Sequence, residues 1–433
     1  MSSLKVELSD YFQISQSPPL RGIVQLEGAK NAVLVIMASL LLTSGRSTLR
    51  RVPPSLDVYQ MIHTLEALGA VVDFYPEERI LIVDTTGLHG NNVPESAMRA
   101  MRASTLVMGP LLARHGRVEL ALPGGCVLGT RSIDLHLRSF QEMGAAITIT
   151  NNCVQAVAPQ LRSRKFIFDY PSVGATENIM MAASLIPATT TIVNAALEPE
   201  VFDLITVLRK MGATIDFEIP GTIHITGTTN PQPVDHTIIP DRLEAGTFLV
   251  AAAVTGGTIT IPQAQPSMME LFLEKLRDMG HHITIGTDGT GITLEATTEP
   301  LSVSFKTMPY PGFPTDLQAP MMVAQVRATG TSTIYETVFE QRVSPHVSEL
   351  KKMGAQIDLT HAMSAIVHGN GKLQGAAVVA PDIRGAAALV IAGLAAEGTT
   401  HVHGLHHIRR GYVDFEKKLA QLGAPIRLIS AKP

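Results

Sequence analysis

The feature that most limits what this chain can fold into is a sixfold recurrence. A segment with apolar residues at helical spacing ends in Leu-Gly or Met-Gly, and a short alternating stretch follows. The closing glycines are Gly69, Gly144, Gly212, Gly280, Gly354 and Gly423, separated by 68 to 75 residues. A period near 70 exceeds that of ordinary solenoids, so each repeat must hold several elements. Each glycine suits the left-handed residue that ends a helix. The stretches after them, such as Ile215-Asp216-Phe217 and Ile283-Thr284-Ile285, alternate as strands do.

Upstream of each glycine lies a second helical segment, at 31–42, 104–113, 175–186, 246–254, 318–326 and 386–396. These six are rich in alanine and apolar on nearly every side, which marks helices buried between other elements. Most stop at a glycine (Gly45, Gly116, Gly256, Gly330, Gly398), and a Thr/Val/Ile strand follows. The repeat therefore reads strand, buried helix, strand, amphipathic helix, strand, usually strand, a βαβαββ-like unit. Three such units around a pseudo-threefold axis make one domain, so six predict an α/β protein of two domains. The loose polar stretch 228–233 is where the chain is expected to cross. The first strand is assigned to the second half, whose repeats otherwise lack a partner. The expected domains are residues 1–28 with 235–433, and residues 29–234.

Composition excludes several classes of function. A net charge of −4 over 433 residues argues against a general nucleic-acid binder, so any anion site must be a local concentration of Arg and Lys. Two cysteines, Cys126 and Cys153, provide neither a disulfide framework nor a metal quartet, and they suit a reducing cytosol. His136 and the pair His406-His407 are not spaced with carboxylates as metal ligands. The N-terminus lacks an apolar signal core, and the longest apolar stretch, 33–42, is too short for a bilayer. The expectation is a cytoplasmic protein without metal, cofactor, membrane insertion or nucleic-acid partner.

Functional residues are sought where the buried helices begin. Their approaches read Gly28-Ala29-Lys30-Asn31, Met101-Arg102-Ala103-Ser104, Ser172-Val173-Gly174-Ala175-Thr176, Pro240-Asp241-Arg242, Phe313-Pro314-Thr315-Asp316 and Asp382-Ile383-Arg384. Helix N-termini present free N–H groups and partial positive charge. Asp316 and Asp382 read as N-caps. Lys30, Arg102 and Arg384 sit at the end the dipole disfavours for a cation, which calls for an anion there. Three connections are also long for this scaffold. One is Pro123-Gly124-Gly125-Cys126-Val127-Leu128-Gly129-Thr130-Arg131-Ser132-Ile133-Asp134, which places a thiol near a guanidinium, an arrangement that favours thiolate. The others carry Glu340-Gln341-Arg342 and His406-His407-Ile408-Arg409-Arg410-Gly411-Tyr412. The residues alone thus point to an anion-binding, two-domain enzyme with a reactive cysteine.

The chain resembles the enolpyruvyl transferase family almost end to end, and within it the branch whose acceptor is UDP-N-acetylglucosamine. The most specific pieces are Gly28 to Asn31, Pro123 to Arg131, Ser172 to Thr176, Phe313 to Asp316, Glu336-Thr337-Val338-Phe339-Glu340 and Arg410-Gly411-Tyr412. The resemblance implies two inside-out α/β barrel domains of three repeats each, with the active site in a cleft that closes on substrate. It implies transfer of the enolpyruvyl group of phosphoenolpyruvate to the sugar 3-hydroxyl, with loss of phosphate, at the start of peptidoglycan synthesis. By that likeness Cys126 is the acid and the cysteine alkylated by fosfomycin, and Asp316 is the base. Lys30, Arg102, Arg131, Arg342, Arg384 and Arg410 match the phosphoenolpyruvate cluster, Lys30 and Arg410 being assigned to catalysis as well. Asn31, Arg102, Arg131, Ser132, Ile133, Asp134, Leu135, His136, Ser172, Val173, Gly174, Asp316 and Val338 match the sugar-nucleotide site. The chain departs from the family pattern at Tyr170, Ser132 and Arg409, and carries an extra residue after Arg342. Tyr170 and Ser132 fall on the nucleotide side. A different acceptor, or a silent paralogue that binds a sugar nucleotide, are therefore the competing readings.

Overall fold

The computed structural model describes residues 10–93, 95, 98, 101–121 and 133–430, with Arg102 described by its backbone alone. The described residues form six four-stranded sheets with one pairing pattern, a parallel pair followed by two antiparallel ones. In the third repeat, Lys165–Ile167 runs parallel to Thr190–Val193, which pairs antiparallel with Thr222–Thr226, itself antiparallel to Thr214–Glu218. The parallel pair is joined through a buried helix, as a parallel pairing requires a long crossover. The antiparallel pair is a simple hairpin, with inward and outward residues alternating along Thr222–Thr226.

All six closing glycines take positive φ, from 88° to 109°. In every repeat the residue after the glycine donates its N–H to a carbonyl five residues back, as Ala70 does to Leu65 and Ala424 to Leu419. That bond seals the helix end and turns the chain into the next strand. The recurrence in sequence is therefore a recurrence of one backbone motif.

The buried helices are Lys30–Ser39, Met108–His115, Val173–Ala183, Arg242–Thr255, Gln318–Arg327 and Ile383–Ala395. The second differs from expectation: residues 104–107 belong to a 3-10 turn, Arg102–Val107, and the α-helix begins only at Met108. Pro110 has no N–H to close an α-helical bond to residue 106, and the Gly109 N–H is taken by Asn178 Oδ1 at 2.8 Å. An α-ladder cannot run back past that pair.

The chain divides into two compact units, changing from one to the other after Glu27 and again after Ile239. Each has its own aliphatic core. In the unit that includes Pro240 onward, Arg242–Thr255, Gln318–Arg327 and Ile383–Ala395 pack against one another, almost every residue buried. In the other, Met108–His115 packs on Val173–Ala183, and Lys30–Ser39 packs on the 102–107 turn.

Two strands are exchanged between the repeats. Arg21–Ile23 precedes the first buried helix yet pairs with Thr258–Ile261. Asp235–Thr237 precedes the fourth yet pairs with Arg46–Arg50, reinforced by a two-point contact of Arg50 with Asp235 at 2.8 and 3.0 Å. Residues 235–239 thus lie in the unit that begins at Gly28, whereas the sequence reading starts the second half at 235. Hydrogen bonding, invisible in the polar stretch 228–233, moves the crossing downstream. The N-terminal strand Tyr11–Ser15 lies between Thr399–His403 and Ile426–Ile429, filling the place of a sixth hairpin strand. No described helix is long and apolar enough to cross a membrane.

Candidate active site

The expected site residues fall into two groups, one on each unit. In the unit that begins at Gly28, Lys30 opens its helix with Ala29 at the N-cap and no side-chain cap. Its Nζ lies 3.1 Å from Asp57 Oδ2, both side chains nearly buried. Asp57 sits in the first turn of the amphipathic helix Leu56–Ala67, whose cap is Ser55. A cation at the positive end of a helix is thus compensated by a carboxylate from the neighbouring helix. Asn31, beside Lys30, is exposed.

The same unit brings part of the expected sugar-nucleotide set together. Ile133 is buried, and Asp134, Leu135 and His136 begin the helix Asp134–Glu142. Asn178 Nδ2 donates to the Thr105 carbonyl at 3.1 Å and meets His136 Nδ1 at 2.9 Å. With Asn178 as donor, the proton of a neutral His136 resides on Nε2. That edge faces Gly174, where a Cβ would lie 3.1 Å from Cε1 and 3.2 Å from Nε2. Only glycine fits at 174 without moving the imidazole. Ser172 caps the helix Val173–Ala183 through Ala175 N–H at 3.4 Å. Tyr170 is 41% exposed. Cys126, Arg131, Ser132 and the rest of 122–132 lie outside the described residues, as does the Arg102 side chain.

In the other unit the N-termini of three buried helices carry a connected charge network. Asp316 accepts from Arg342 Nη2 at Oδ1 (2.7 Å) and from Arg384 Nη2 at Oδ2 (3.0 Å). It is no N-cap, contrary to the reading from sequence: it lies inside the 3-10 turn Thr315–Leu317, capped by Pro314, and Leu317 holds the cap position of Gln318–Arg327 with no side-chain bond. Asp382 does cap, accepting from the Arg384 and Gly385 N–H groups, and Asp241 caps the third helix. Arg342 and Arg384 are 4% and 5% exposed. Burial works against the Arg384 charge, but Tyr412, Asp316 and Asp241 outweigh it, leaving its pKa above the ordinary arginine value.

Each guanidinium is also held from behind. Arg384 Nη1 donates to Tyr412 Oη at 2.9 Å, and Tyr412 meets Thr247 Oγ1 at 2.9 Å. Arg342 Nη1 donates to Thr315 Oγ1 at 2.7 Å, and Thr315 donates to Glu336 Oε2 at 2.9 Å. Val338 contributes its N–H to Glu336 Oε1. Arg410 follows the short helix Leu405–Arg409 and is half-buried. Its neighbour Arg409 instead points to the surface, 3.5 Å from Asp10 Oδ2. The reversed charge before Arg410 is therefore spent on a solvent-exposed pair. The residues after Arg342, where the sequence reading placed an extra residue, form the first turn of the helix Val343–Lys352. Asp57 and Thr247 were given no part in the sequence reading, and Thr315, Glu336 and Tyr412 only marked likeness. Thr315 and Tyr412, in quoted motifs with Asp316 and Arg410, were the ones with a signal. Among the described residues no group of three or more His, Cys, Asp or Glu is arranged to hold a metal ion.

Residues 14–419 match the family profile described as EPSP synthase (3-phosphoshikimate 1-carboxyvinyltransferase). UDP-N-acetylglucosamine 1-carboxyvinyltransferase 1 of Caldanaerobacter subterraneus subsp. tengcongensis is 46% identical over 415 residues, covering 96% of this chain and 98% of the relative. UDP-N-acetylglucosamine 1-carboxyvinyltransferase 2 of Carboxydothermus hydrogenoformans is 45% identical over 419 residues, covering 97% and 99%. Among solved structures, the enolpyruvyl transferase NikO of Streptomyces tendae superposes with a TM-score of 0.89 at 25% identity, covering 98% of this chain and all of that one. EPSP synthase of Acinetobacter baumannii gives 0.73 at 17% identity with the same coverage, a likeness of fold alone.

Proposed function

Because the chain belongs to the EPSP synthase family of carboxyvinyl transferases, we propose that it moves the enolpyruvyl group of phosphoenolpyruvate onto the 3-hydroxyl of UDP-N-acetylglucosamine. Phosphate is released, and the product is the first committed precursor of peptidoglycan. The observation that carries this reading is the likeness of 45–46% across nearly the whole chain to two enzymes of that name. The acceptor follows from them and not from the fold, which NikO and EPSP synthase share at far lower identity.

In this reading Cys126 protonates the methylene carbon of phosphoenolpyruvate, while Asp316 takes the proton of the acceptor hydroxyl and the oxygen bonds to the central carbon. The tetrahedral adduct then loses a methyl proton and phosphate, restoring the enol ether. Lys30, Arg102, Arg131, Arg342, Arg384 and Arg410 bind the phosphate and carboxylate, with Lys30 and Arg410 next to the reacting carbon. Asn31, the segment from Arg131 to His136, Ser172 to Gly174 and Val338 hold the sugar nucleotide. A ligand with nearly three negative charges favours several cations, each charge-assisted bond being worth roughly 1.5–3 kcal/mol. Arg342 supports this: its Nε is buried with no partner among the described residues, leaving a donor to spare.

The test is phosphate release from phosphoenolpyruvate with UDP-N-acetylglucosamine, 3-phosphoshikimate and other sugar nucleotides offered singly. Release with the first alone is expected. Release only with another alcohol would reject the acceptor, and none with any would favour a silent binding protein. Cys126→Ser should slow turnover severely and abolish inactivation by fosfomycin.

A further inference from the structure

Of the buried carboxylates that the reaction outlined above leaves without a task, Glu336 alone among the described residues is tied through a hydroxyl to a guanidinium on Asp316. Glu336 is 1% exposed and lies where the strand Thr331–Tyr335 ends. We infer that Glu336 is a positioning residue for the reaction, acting through the Thr315 hydroxyl to aim Arg342, and with it the base Asp316. The inference rests on the reading of function given above.

The argument is one of proton direction. A carboxylate only accepts, so the Thr315 hydroxyl, 2.9 Å from Glu336 Oε2, must give its single proton to it. The Thr315 oxygen then faces Arg342 Nη1, 2.7 Å away, with lone pairs only. Nη2 of the same guanidinium is left pointing at Asp316 Oδ1. Glu336 acts on Arg342 by a second route as well. Its Oε1 accepts from the Val338 and Phe339 N–H groups at 2.8 and 3.1 Å, closing the turn that sets the Phe339 ring 5.1 Å from the centre of the guanidinium. One side chain thus fixes both the donor edge and the flat face of Arg342.

A purely structural carboxylate would need neither route to end on the same guanidinium. Arg384, on the other oxygen of Asp316, is held in parallel fashion. Thr247 gives its proton to the Leu243 carbonyl at 2.7 Å, so Tyr412 must donate to Thr247 and turn its lone pairs to Arg384. Asp316 is gripped at each oxygen by a guanidinium whose own position is set by a hydroxyl of fixed polarity. A glutamine at 336 would place an NH2 where either the two N–H groups or the Thr315 proton now find an acceptor.

The experiment compares Glu336→Gln, Thr315→Val, Thr315→Ser and Thr247→Val by steady-state kinetics and thermal melting. Glu336→Gln and Thr315→Val should each lower kcat/KM for phosphoenolpyruvate roughly ten- to hundredfold, the range of one charge-assisted hydrogen bond. Combined, they should do little more harm than either alone, because they break one relay. Thr315→Ser should restore most of the rate, and Thr247→Val should multiply with Glu336→Gln because it loosens the other guanidinium. Additive losses, full rate in Thr315→Val, or no recovery in Thr315→Ser would overturn the inference. If the native protein released no phosphate with any acceptor, the functional reading would fall by itself. The relay would then be judged by a crystal structure of Thr315→Val, where an Arg342–Asp316 contact unmoved at 2.7 Å refutes it.

Discussion

The two units treat charge at their helix starts in opposite ways. At one, Lys30 meets the carboxylate of Asp57 at 3.1 Å. Around Asp316 a single carboxylate meets two buried guanidiniums, at 2.7 and 3.0 Å. In the second, two nearly buried guanidiniums share one carboxylate, with Glu336 tied to Arg342 through Thr315 and Asp241 acting on Arg384. Guanidiniums held this far from water depend on their carboxylates, so loss of the shared partner costs more than loss of an exposed pair. The Lys30–Asp57 contact by itself would not have marked its unit as functional.

The largest effect expected follows from removing the shared carboxylate. Asp316→Ala should reduce turnover by roughly 10^2–10^4-fold, as loss of a general base does. It should also cost about 3–5 kcal/mol of stability, because two buried guanidiniums lose their common partner. A melting curve close to that of the native protein would mean that Glu336 and Asp241 suffice to hold the two guanidiniums. Next comes acid sensitivity, where the units again differ. Burial pushes His281 and His346 down to about 4, and burial with the nearby His406 and Arg410 charges does the same to His407; all three lie in the unit from Pro240 onward. A histidine whose pKa is lowered on folding contributes stability above about 6.5 and loses it as pH falls toward 4, since the unfolded chain binds the proton first.

Two glutamates carry the opposite sign. Burial raises Glu244 to about 7 in that same unit, offsetting one histidine. In the other unit, burial beside Glu198 and Glu200 raises Glu177 well above the usual range, so stability there is lost as pH rises. Hydrogen exchange between pH 6.5 and 4 should therefore show the unit from Pro240 onward opening first, and equal protection of both would contradict the contrast. Tyr412→Phe, which cuts the tie to Arg384, should cost about 1 kcal/mol and raise KM for phosphoenolpyruvate severalfold. The smallest effect belongs to Arg409→Ala. Its exposed pair with Asp10 is worth about 0–1 kcal/mol, and turnover should not change. A large kinetic effect there would erase the distinction between Arg409 and Arg410.

How much could be read beforehand depends on the range of the interactions involved. The helix ends were legible because a left-handed glycine and its backbone bonds involve residues five apart. Burial of the six alanine-rich helices was legible because an apolar surface all round has nowhere else to go. The helix in the second repeat was misplaced by four residues, though Pro110 stood in plain view. The cation set was visible by residue type, yet the partners of those cations were not. Asp57 is 27 residues from Lys30, and Asp316 is 68 from Arg384. Both look like ordinary first-turn acids in sequence, which is why Asp316 was read as a cap.

The sequence by itself determined the repeat: its period, its order of elements, and which faces are buried. These follow from local backbone geometry and from the hydrophobic effect, which read the chain a few residues at a time. The sequence assigned the first strand to the second half, but only the tertiary structure gave the pairings, 21–23 with 258–261 and 235–237 with 46–50. The tertiary structure also decided which carboxylate neutralises which cation. Hydrogen bonds and ion pairs are satisfied by whatever lies within about 3 Å, and distance along the chain carries no record of that.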